Sequence, residues 1–215
     1  MIIISDLEGT SLSHYYTKRT NRALKQPKIT KNNKLNNLIK NADKVYVTGD
    51  WHLWGAGKDG IFKKGARYET TIKEIQKLKT NDFLIFIGDL VNDEFEDKEA
   101  LQKVLDLIKC KSVMILGNND LLDMEFYKKN FDFVVEAFQY EDLLFTHFPF
   151  PGLKKDFNIH GHIHDSNTYW EHCPRNYNIF DPEGKFYELD NILEYLHKGF
   201  VNPYGEFVNR ENKDR

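Results

Sequence analysis

Residues 83–89 read FLIFIGD, an apolar run that ends directly in a glycine and an aspartate. A short run of β-branched and aromatic residues predicts a buried β-strand. The same order returns twice, in VYVTGD at residues 45–50 and in VMILGN at residues 113–118. In α/β sheets the carboxyl ends of parallel strands gather along one crevice, where ligands bind. These three stretches therefore predict a parallel sheet whose strand ends deliver carboxylate and amide side chains to one place.

Amphipathic helical patterns lie between these strands. Residues 101–108 place apolar side chains at i, i+3, i+4 and i+7, and residues 72–78 carry a weaker stripe of the same kind. Strand and helix in alternation from residue 45 predict α/β layering. The strands predicted at 133–135 and 143–145 follow shorter connections, which indicate antiparallel additions to the sheet. Short helices are also predicted around residues 35–39 and 192–196.

The composition is that of a soluble globular protein. The 215 residues include 40% hydrophobic and 29% charged side chains and carry a formal net charge of -3, so the whole chain is not an evident binder of polyanions. Cys110 and Cys173 stand outside any CxxC pattern and predict no disulfide framework. We see no signal segment and no apolar run near the roughly 20 residues that a membrane helix needs. We therefore expect a cytoplasmic protein without a membrane partner.

Charge and motif positions divide the chain into three predicted parts. Residues 1–44 hold nine Lys or Arg against three Asp or Glu, a net of +6. Residues 1–43 are predicted to form a basic N-terminal arm or an added strand and helix, residues 44–200 the main domain, and residues 201–215 a polar C-terminal tail. The basic charges of the arm either attract phosphate or nucleic acid or only solvate a surface.

Seven polar side chains follow the predicted strands in five separate segments of the chain. They are Asp50, His52, Asp89, Asn118, His147, His162 and His164. A mixed set of carboxylate and imidazole ligands suits Mn, Fe or Zn, whereas calcium prefers oxygen ligands throughout. The sequence therefore predicts a metal site built by these residues. His160, which precedes the last two histidines, is predicted to be structural or to support them.

In order and spacing these motifs resemble the series found in calcineurin-like metallophosphoesterases. The matching motifs are Asp50-x-His52, Gly88-Asp89, Gly117-Asn118-x-Asp120, His147 and Gly161-His162-x-His164. The likeness covers roughly residues 44–190 and extends to the small bacterial and phage phosphoesterases of that superfamily. It implies an α/β fold, a four-layer α/β/β/α sandwich with two mixed β-sheets. It also implies two divalent metal ions as cofactors, Mn before Fe, Zn, Ni or Co.

The resemblance further implies a role for each ligand. One ion would be held by Asp50, His52 and His164, the other by Asn118, His147 and His162, and Asp89 would bridge the two. The implied reaction is hydrolysis of a phosphodiester or an activated phosphomonoester by attack of a metal-bridging hydroxide. The expected partner is a phosphate-ester small molecule or a nucleotide, and the basic arm leaves nucleic acid open.

Three further positions complete the predicted site. Asn119 stands where the family's commonest pattern, Gly-Asn-His-Asp, has a histidine thought to protonate the leaving oxygen. An amide donates hydrogen bonds but is no general acid near neutral pH, so we expect a good leaving group or a proton donor from elsewhere. Asp120 either orients a neighbour or only holds a turn; together with Asp89 and Asn119 it forms the predicted catalytic set. Lys63 and Arg67 either contact the substrate phosphate, as does Asn119, or are ordinary exposed residues.

Two other interpretations stay open. Residues 1–10, MIIISDLEGT, resemble the nucleophile motif of haloacid dehalogenase-like phosphatases, with Asp6 as the nucleophile, and residues 88–93 resemble their last magnesium motif. Only about 80 residues would separate the two motifs, which is short for that fold, and the candidate histidine ligands would be unexplained. The second alternative is a non-catalytic metal-binding interaction module on the same fold, although none of the seven candidate ligands is missing.

Overall fold

Helices and strands alternate along the part of the chain that the computed structural model describes, which is residues 27–53, 66–91, 98–150, 157–164, 176–198, 200–201 and 207–208. The helices are α1 (Asn33–Lys40), α2 (Ala66–Lys77), α3 (Lys98–Leu105), α4 (Met124–Asn130) and α5 (Leu189–Lys198). The strands are β1 (Ile29–Thr30), β2 (Val45–Thr48), β3 (Phe83–Ile87), β4 (Lys111–Ile115), β5 (Phe133–Val135), β6 (Ala137–Tyr140), β7 (Leu143–Thr146), β8 (Phe157–His160), β9 (Asn176–Asn178), β10 (Tyr187–Glu188), β11 (Phe200–Val201) and β12 (Phe207–Val208). Within these ranges no helix has both the length and the apolar character needed to cross a membrane.

The first sheet contains the three strands that the glycine-terminated runs predicted. Its strand order is β10-β2-β3-β4-β5, and β2 to β5 are parallel neighbours, whereas β10 is antiparallel to β2. All five residues of β3 are buried, because a parallel sheet of this kind is covered on both faces. The prediction that these strands end at one edge of a parallel sheet is confirmed.

The second sheet has the strand order β1-β6-β7-β8-β9. Only β6 and β7 pair antiparallel within it, while β1 with β6, β7 with β8 and β8 with β9 are parallel. The expectation of an antiparallel addition therefore holds for residues 143–145, since β7 is antiparallel to β6, and is wrong for residues 133–135, since β5 is parallel to β4. The reason is connection length: residues 141–142 form a tight hairpin between β6 and β7, whereas residues 116–132, which contain α4, are long enough to return the chain to the start of β5.

The two mixed sheets face each other across the main hydrophobic core, as the predicted sandwich requires. One sheet contributes Val47, Ile85 and Val113, and the other contributes residues such as Phe138 and Phe145, whose rings stack with centroids 4.6 Å apart. Helices α1 and α5 close this core with four almost fully buried side chains, Leu35, Ile39, Ile192 and Leu196. The short helix predicted around residues 35–39 is thus α1, which begins after Asn32, whose side chain accepts hydrogen bonds from the backbone N–H groups of Lys34 and Leu35.

A second apolar cluster lies on the other face of the first sheet. There Phe86 of β3 and Met114 of β4 pack against side chains of α2, α3 and α4, among them Ile75, Leu101 and Tyr127. Successive side chains of a strand point to opposite faces, so each central strand serves both clusters. Two mixed sheets with flanking helices confirm the predicted α/β sandwich, and the sandwich brings the carboxyl ends of strands from both sheets together.

Candidate metal centre

The loops after β2 and β3 run side by side at the edge of the first sheet. The backbone N–H of Asp50 donates to Gly88 O at 2.8 Å, and that of His52 donates to Asp89 O at 2.9 Å. Asn118 follows β4 at the same edge. Three separate stretches of sequence thus deliver four of the predicted ligands to one line of strand ends.

The second sheet delivers the three remaining histidines. His147 follows β7, and His162 and His164 follow β8. The backbone N–H of Gly161 donates to His147 O at 3.0 Å, so these two strand ends are joined. The N–H of His162 donates to both carboxylate oxygens of Asp50, at 3.1 and 3.0 Å, and this contact connects the two sheets at the site.

Two groups of side chains could each hold a metal ion. The first candidate site consists of Asp50, His52 and His164, and the second candidate site of Asp89, His147 and His162; within each group the potential ligand atoms lie within 4.8 Å of one another. In the first, His52 Nε2 is 3.0 Å from His164 Nε2, which is 3.8 Å from Asp50 Oδ1. In the second, Asn118 Oδ1 also approaches, at 3.1 Å from His147 Nε2.

Asp89 lies between the two candidate sites. Its Oδ2 atom is 3.4 Å from His52 Nε2 and 3.4 Å from His147 Nε2. Burial alone would disfavour its charged form, but His147 and then His52 outweigh burial and hold the pKa of the Asp89 carboxyl well below its usual range. A buried, ionised carboxylate thus stands where it faces both groups of ligand atoms.

The spacing and the type of these atoms fit divalent transition metals. Two ligand atoms each about 2.1 Å from one ion are about 3.0 Å apart at a right angle and about 3.4 Å apart at a tetrahedral angle. The pairs His52–His164, Asp89–His147 and Asn118–His147 fall in that range, at 3.0, 3.4 and 3.1 Å. Imidazole together with carboxylate and amide oxygen is a donor set for Mn, Fe or Zn.

The backbone of the site is held in an unusual conformation. Among the described residues six non-glycine residues have a positive φ, and five of them are candidate ligands: Asp50, His52, Asp89, His162 and His164, with φ between 43° and 69°. This left-handed region is disfavoured for residues with a Cβ atom. Such strain gathers where a fold imposes side-chain directions for function. These positive φ values could not be predicted from the sequence, because the surrounding loops set the backbone conformation.

The two histidines of the second candidate site have pKa values that are shifted in opposite directions. Burial favours the neutral ring of His147, but Asp89 and then Asp50 overcome burial and raise the pKa of His147 to about 10. Burial, assisted by the neighbouring His147, lowers the pKa of His162 to about 3. A buried carboxylate can therefore select which of two nearby imidazoles carries a proton when no metal is bound.

The Asn119 amide lies against the Asp89 carboxylate. Its backbone N–H donates to Asp89 Oδ1 at 2.9 Å, and its side-chain Nδ2 donates to Asp89 Oδ2 at 2.9 Å. The same Nδ2 atom is 3.5 Å from His52 Nδ1. Asn119 thus contacts the candidate site directly, and a contact with substrate stays a prediction.

Asp120 is buried and is fully engaged with backbone amides. Its carboxylate accepts hydrogen bonds from the N–H groups of Gly117 at 2.7 Å, Asp89 at 2.9 Å and Leu90 at 3.0 Å. Burial, together with the charge of Asp89, raises the pKa of Asp120 to about 6. Of the two predicted roles, these contacts fit the one in which Asp120 orients a neighbour, because they fix the loop that carries Asp89.

We expect Asp120→Asn to destabilise the protein by about 2–4 kcal/mol, because an amide replaces a carboxylate that accepts several buried hydrogen bonds. Urea unfolding of the metal-free protein measures this loss. Asp123→Asn is the matched control, since the Asp123 side chain is 82% exposed and contacts only Lys98 among the ion pairs of the described residues; it should change the stability by less than about 0.5 kcal/mol. Equal losses in both variants would contradict the orienting role.

Several supporting contacts were missed by sequence reasoning. The side-chain amide of Asn178 donates to His164 O at 2.6 Å, and the Phe180 ring stacks on His164 with centroids 4.7 Å apart. His160, already predicted from the sequence to be structural or to support the neighbouring ligands, is fully buried, and burial lowers the pKa of this histidine to about 4. Their position just before or after the ligand motifs was the only available signal. Lys63 and Asp6 lie outside the described residues, and so does the side chain of Arg67.

The chain resembles known proteins in sequence and in structure. A family model described as calcineurin-like phosphoesterase matches residues 43–212. A protein of unknown function, AQ665 from Aquifex aeolicus, has a solved structure that is similar with a TM-score of 0.57 and 19% identity, covering 70% of this chain and 98% of that one. A nuclease, MPE from Pseudomonas putida, aligns with a TM-score of 0.43 and 23% identity over 56% of this chain and 61% of its own. No curated protein matches the chain. Because the family model spans most of the sequence, and its predicted motifs meet in one place, the chain belongs to the calcineurin-like phosphoesterases.

Proposed function

We propose that the chain is a dinuclear metal-dependent phosphoesterase that hydrolyses a phosphodiester or an activated phosphomonoester. The observation that carries this proposal is the position of Asp89 Oδ2, 3.4 Å from a ring nitrogen of each candidate site. A carboxylate that faces two ligand groups suits a pair of ions about 3.5–4 Å apart, the spacing of two-metal sites that act on phosphate esters. One ion would be held by Asp50, His52 and His164, the other by Asn118, His147 and His162, with Asp89 common to both.

The chain's own groups would prepare the site for cations and for a phosphate ester. When bound, two divalent ions would neutralise charge on the phosphoryl oxygens and acidify water near neutral pH. The ionised Asp89 supplies negative charge between them, and the Asp50 carboxylate is fixed by two contacts from His162 N–H. Because imidazole binds metals in its neutral form, loading would release the proton that Asp89 stabilises on His147.

The position of Asn119 narrows the class of ester. Its amide donates to Asp89 and, as an amide, has no proton to give to a leaving oxygen near neutral pH. The nearby Asp120 carboxyl is occupied by backbone amides. We therefore infer a substrate whose leaving group departs without help from a general acid, such as a phosphodiester of an acidic alcohol or an activated phosphomonoester.

The remaining parts of the proposal concern metal, partner and location. We propose Mn²⁺ as the metal, since the mixed donor set suits it and metal choice depends on ligand type and availability. The substrate is a phosphate-ester small molecule or a nucleotide. A nucleic acid becomes the alternative if the basic residues 1–43 contribute to binding. The cytoplasmic location stays a prediction.

The test is hydrolysis of bis-nitrophenyl phosphate and nitrophenyl phosphate by the full chain, first after chelator treatment and then with added Mn²⁺. We expect activity only with Mn²⁺, and a loss of at least about 100-fold in His162→Ala, since even outer partners of metal ligands are worth 10–100-fold. His197→Ala is the control, because His197 lies on α5 and contacts Phe157. Equal activity of wild type and His162→Ala would refute the proposal, and metal binding without any hydrolysis would favour a non-catalytic module.

A further inference from the structure

The peptide bond between Gly161 and His162 is held from both sides. On its carbonyl side, Gly161 O lies 2.9 Å from His160 Nδ1 and also accepts a hydrogen bond from the backbone N–H of Ile163 at 2.9 Å. On its amide side, the N–H of His162 donates to both oxygens of the Asp50 carboxylate at 3.1 and 3.0 Å. The plane of this peptide is therefore held on one side by the His160 imidazole together with a backbone N–H, and on the other side by a candidate metal ligand.

This peptide connects the two candidate metal sites. Asp50 belongs to the first site, and the His162 ring belongs to the second. His162 has a φ of 69°, a left-handed conformation that needs external support in a residue with a side chain. If the peptide rotated, the N–H would leave Asp50 and the ring would turn away from His147, whose centroid lies 5.1 Å away.

The His160 ring makes one hydrogen bond and leaves its other nitrogen unpaired. The residue is fully buried at the end of β8, and its Nε2 atom has no hydrogen-bond partner. Since a carbonyl oxygen only accepts, Nδ1 carries the hydrogen and donates to Gly161 O. An unpaired buried nitrogen disfavours folding, so stability alone does not account for a histidine at this position, whereas the Nδ1 contact does.

We propose that His160 is a positioning residue for metal binding. Its Nδ1–H fixes the Gly161–His162 peptide, and this peptide in turn directs the His162 ring and the Asp50 carboxylate toward their ions. The inference rests on the proposed dinuclear function and adds a residue that touches neither ion. It predicts that His160 sets metal affinity without being required for the fold.

Three substitutions separate this role from a structural one. His160→Leu removes the donor. His160→Asn keeps it, since the amide nitrogen of asparagine reaches the place of Nδ1. Asn176→Leu is the matched control, because Asn176 is also buried and polar on the same sheet, pairs with Asn158 across the β8–β9 register, and has both amide atoms unpaired.

The measurement is calorimetric titration of each full-length protein with Mn²⁺ alone, together with urea unfolding of the metal-free forms. We expect His160→Leu to bind Mn²⁺ about 10–100-fold more weakly, as for other partners that orient metal ligands. His160→Asn should stay within about threefold of wild type, and Asn176→Leu should be unchanged. The metal-free unfolding midpoints of the two leucine variants should be similar.

Any other result would contradict the proposal, and the alternatives can be told apart. Wild-type affinity in His160→Leu would overturn it and leave the dinuclear function standing. Equal weakening in His160→Asn and His160→Leu would show that the donor is irrelevant. A wild type that binds no Mn²⁺ would overturn the proposed function and this inference together. Should His160→Leu fail to fold, His160→Gln replaces it, because the glutamine amide reaches the place of Nε2 and not that of Nδ1.

Discussion

Asp89→Asn is expected to lower hydrolysis by at least about 10³-fold, since removal of one preorganised stabilising group already costs on the order of 10²–10³. The substitution preserves the size of a side chain that is 1% exposed but removes the negative charge between the two candidate sites. An amide also offers one oxygen where the carboxylate offers two. Its nitrogen would face donors, because Asn119 already donates to both Asp89 oxygens.

The variant should also bind fewer than two ions per chain. Metal content after dialysis against Mn²⁺, measured beside turnover of the nitrophenyl diester, checks both effects. Asp82→Asn is the matched control: Asp82 is a buried carboxylate that precedes β3, whereas Asp89 follows the same strand. Asp82 accepts a hydrogen bond from Lys79 N–H, so its substitution should affect stability and leave metal content at two. If Asp89→Asn kept full turnover and bound two ions per chain, Asp89 would not be the carboxylate shared by the two ions.

The sequence was most informative where one local pattern has one physical meaning. A buried run such as residues 83–87 has few alternatives to a central strand, and glycine with a carboxylate directly after it marks the strand end. Seven polar side chains after strands were predicted as metal ligands, and six of them form the two candidate ligand groups. Their arrangement into two groups came from the resemblance to a family, because His52 and His164 are 112 positions apart and periodicity does not report which distant strands meet.

Residue roles that depend on specific tertiary contacts were harder to predict from the sequence. Asp120 and Asp89 are both aspartates in the ligand motifs, yet the Asp120 carboxylate accepts three backbone amides, whereas the Asp89 carboxylate also faces the imidazoles of both candidate sites. The parallel pairing of β5 with β4 depends on the connection through α4. The contact of His160 with Gly161 O depends on a rotamer. Composition and spacing report burial and order along the chain, while hydrogen-bond partners are decided by tertiary packing.

Gly88→Ala is expected to destabilise the metal-free protein by about 2–5 kcal/mol, the sum of a left-handed alanine and an overpacked site. Gly88 has a φ of +70°, and a Cβ atom there would lie 2.5 Å from His147 Nδ1 and 2.8 Å from the Cα and N atoms of Gly117. Neither Gly117 atom can yield, because the Gly117 N–H is bound to Asp120. The His147 ring is likewise fixed by its contact with Ile87 O at 3.0 Å.

The same clash should reach the metal site. To admit a methyl group, His147 must leave Ile87 O and turn its Nε2 atom away from Asp89, so Mn²⁺ affinity should fall together with stability. Gly184→Ala is the comparison: Gly184 also has a positive φ, 80°, in the turn where its N–H donates to Asp181 O, so alanine there carries the same backbone cost of about 1–2 kcal/mol outside the ligand motifs. Urea unfolding of both variants gives the comparison. If Gly88→Ala loses no more than Gly184→Ala and binds Mn²⁺ normally, the close approach of Gly88 to His147 does not constrain the site.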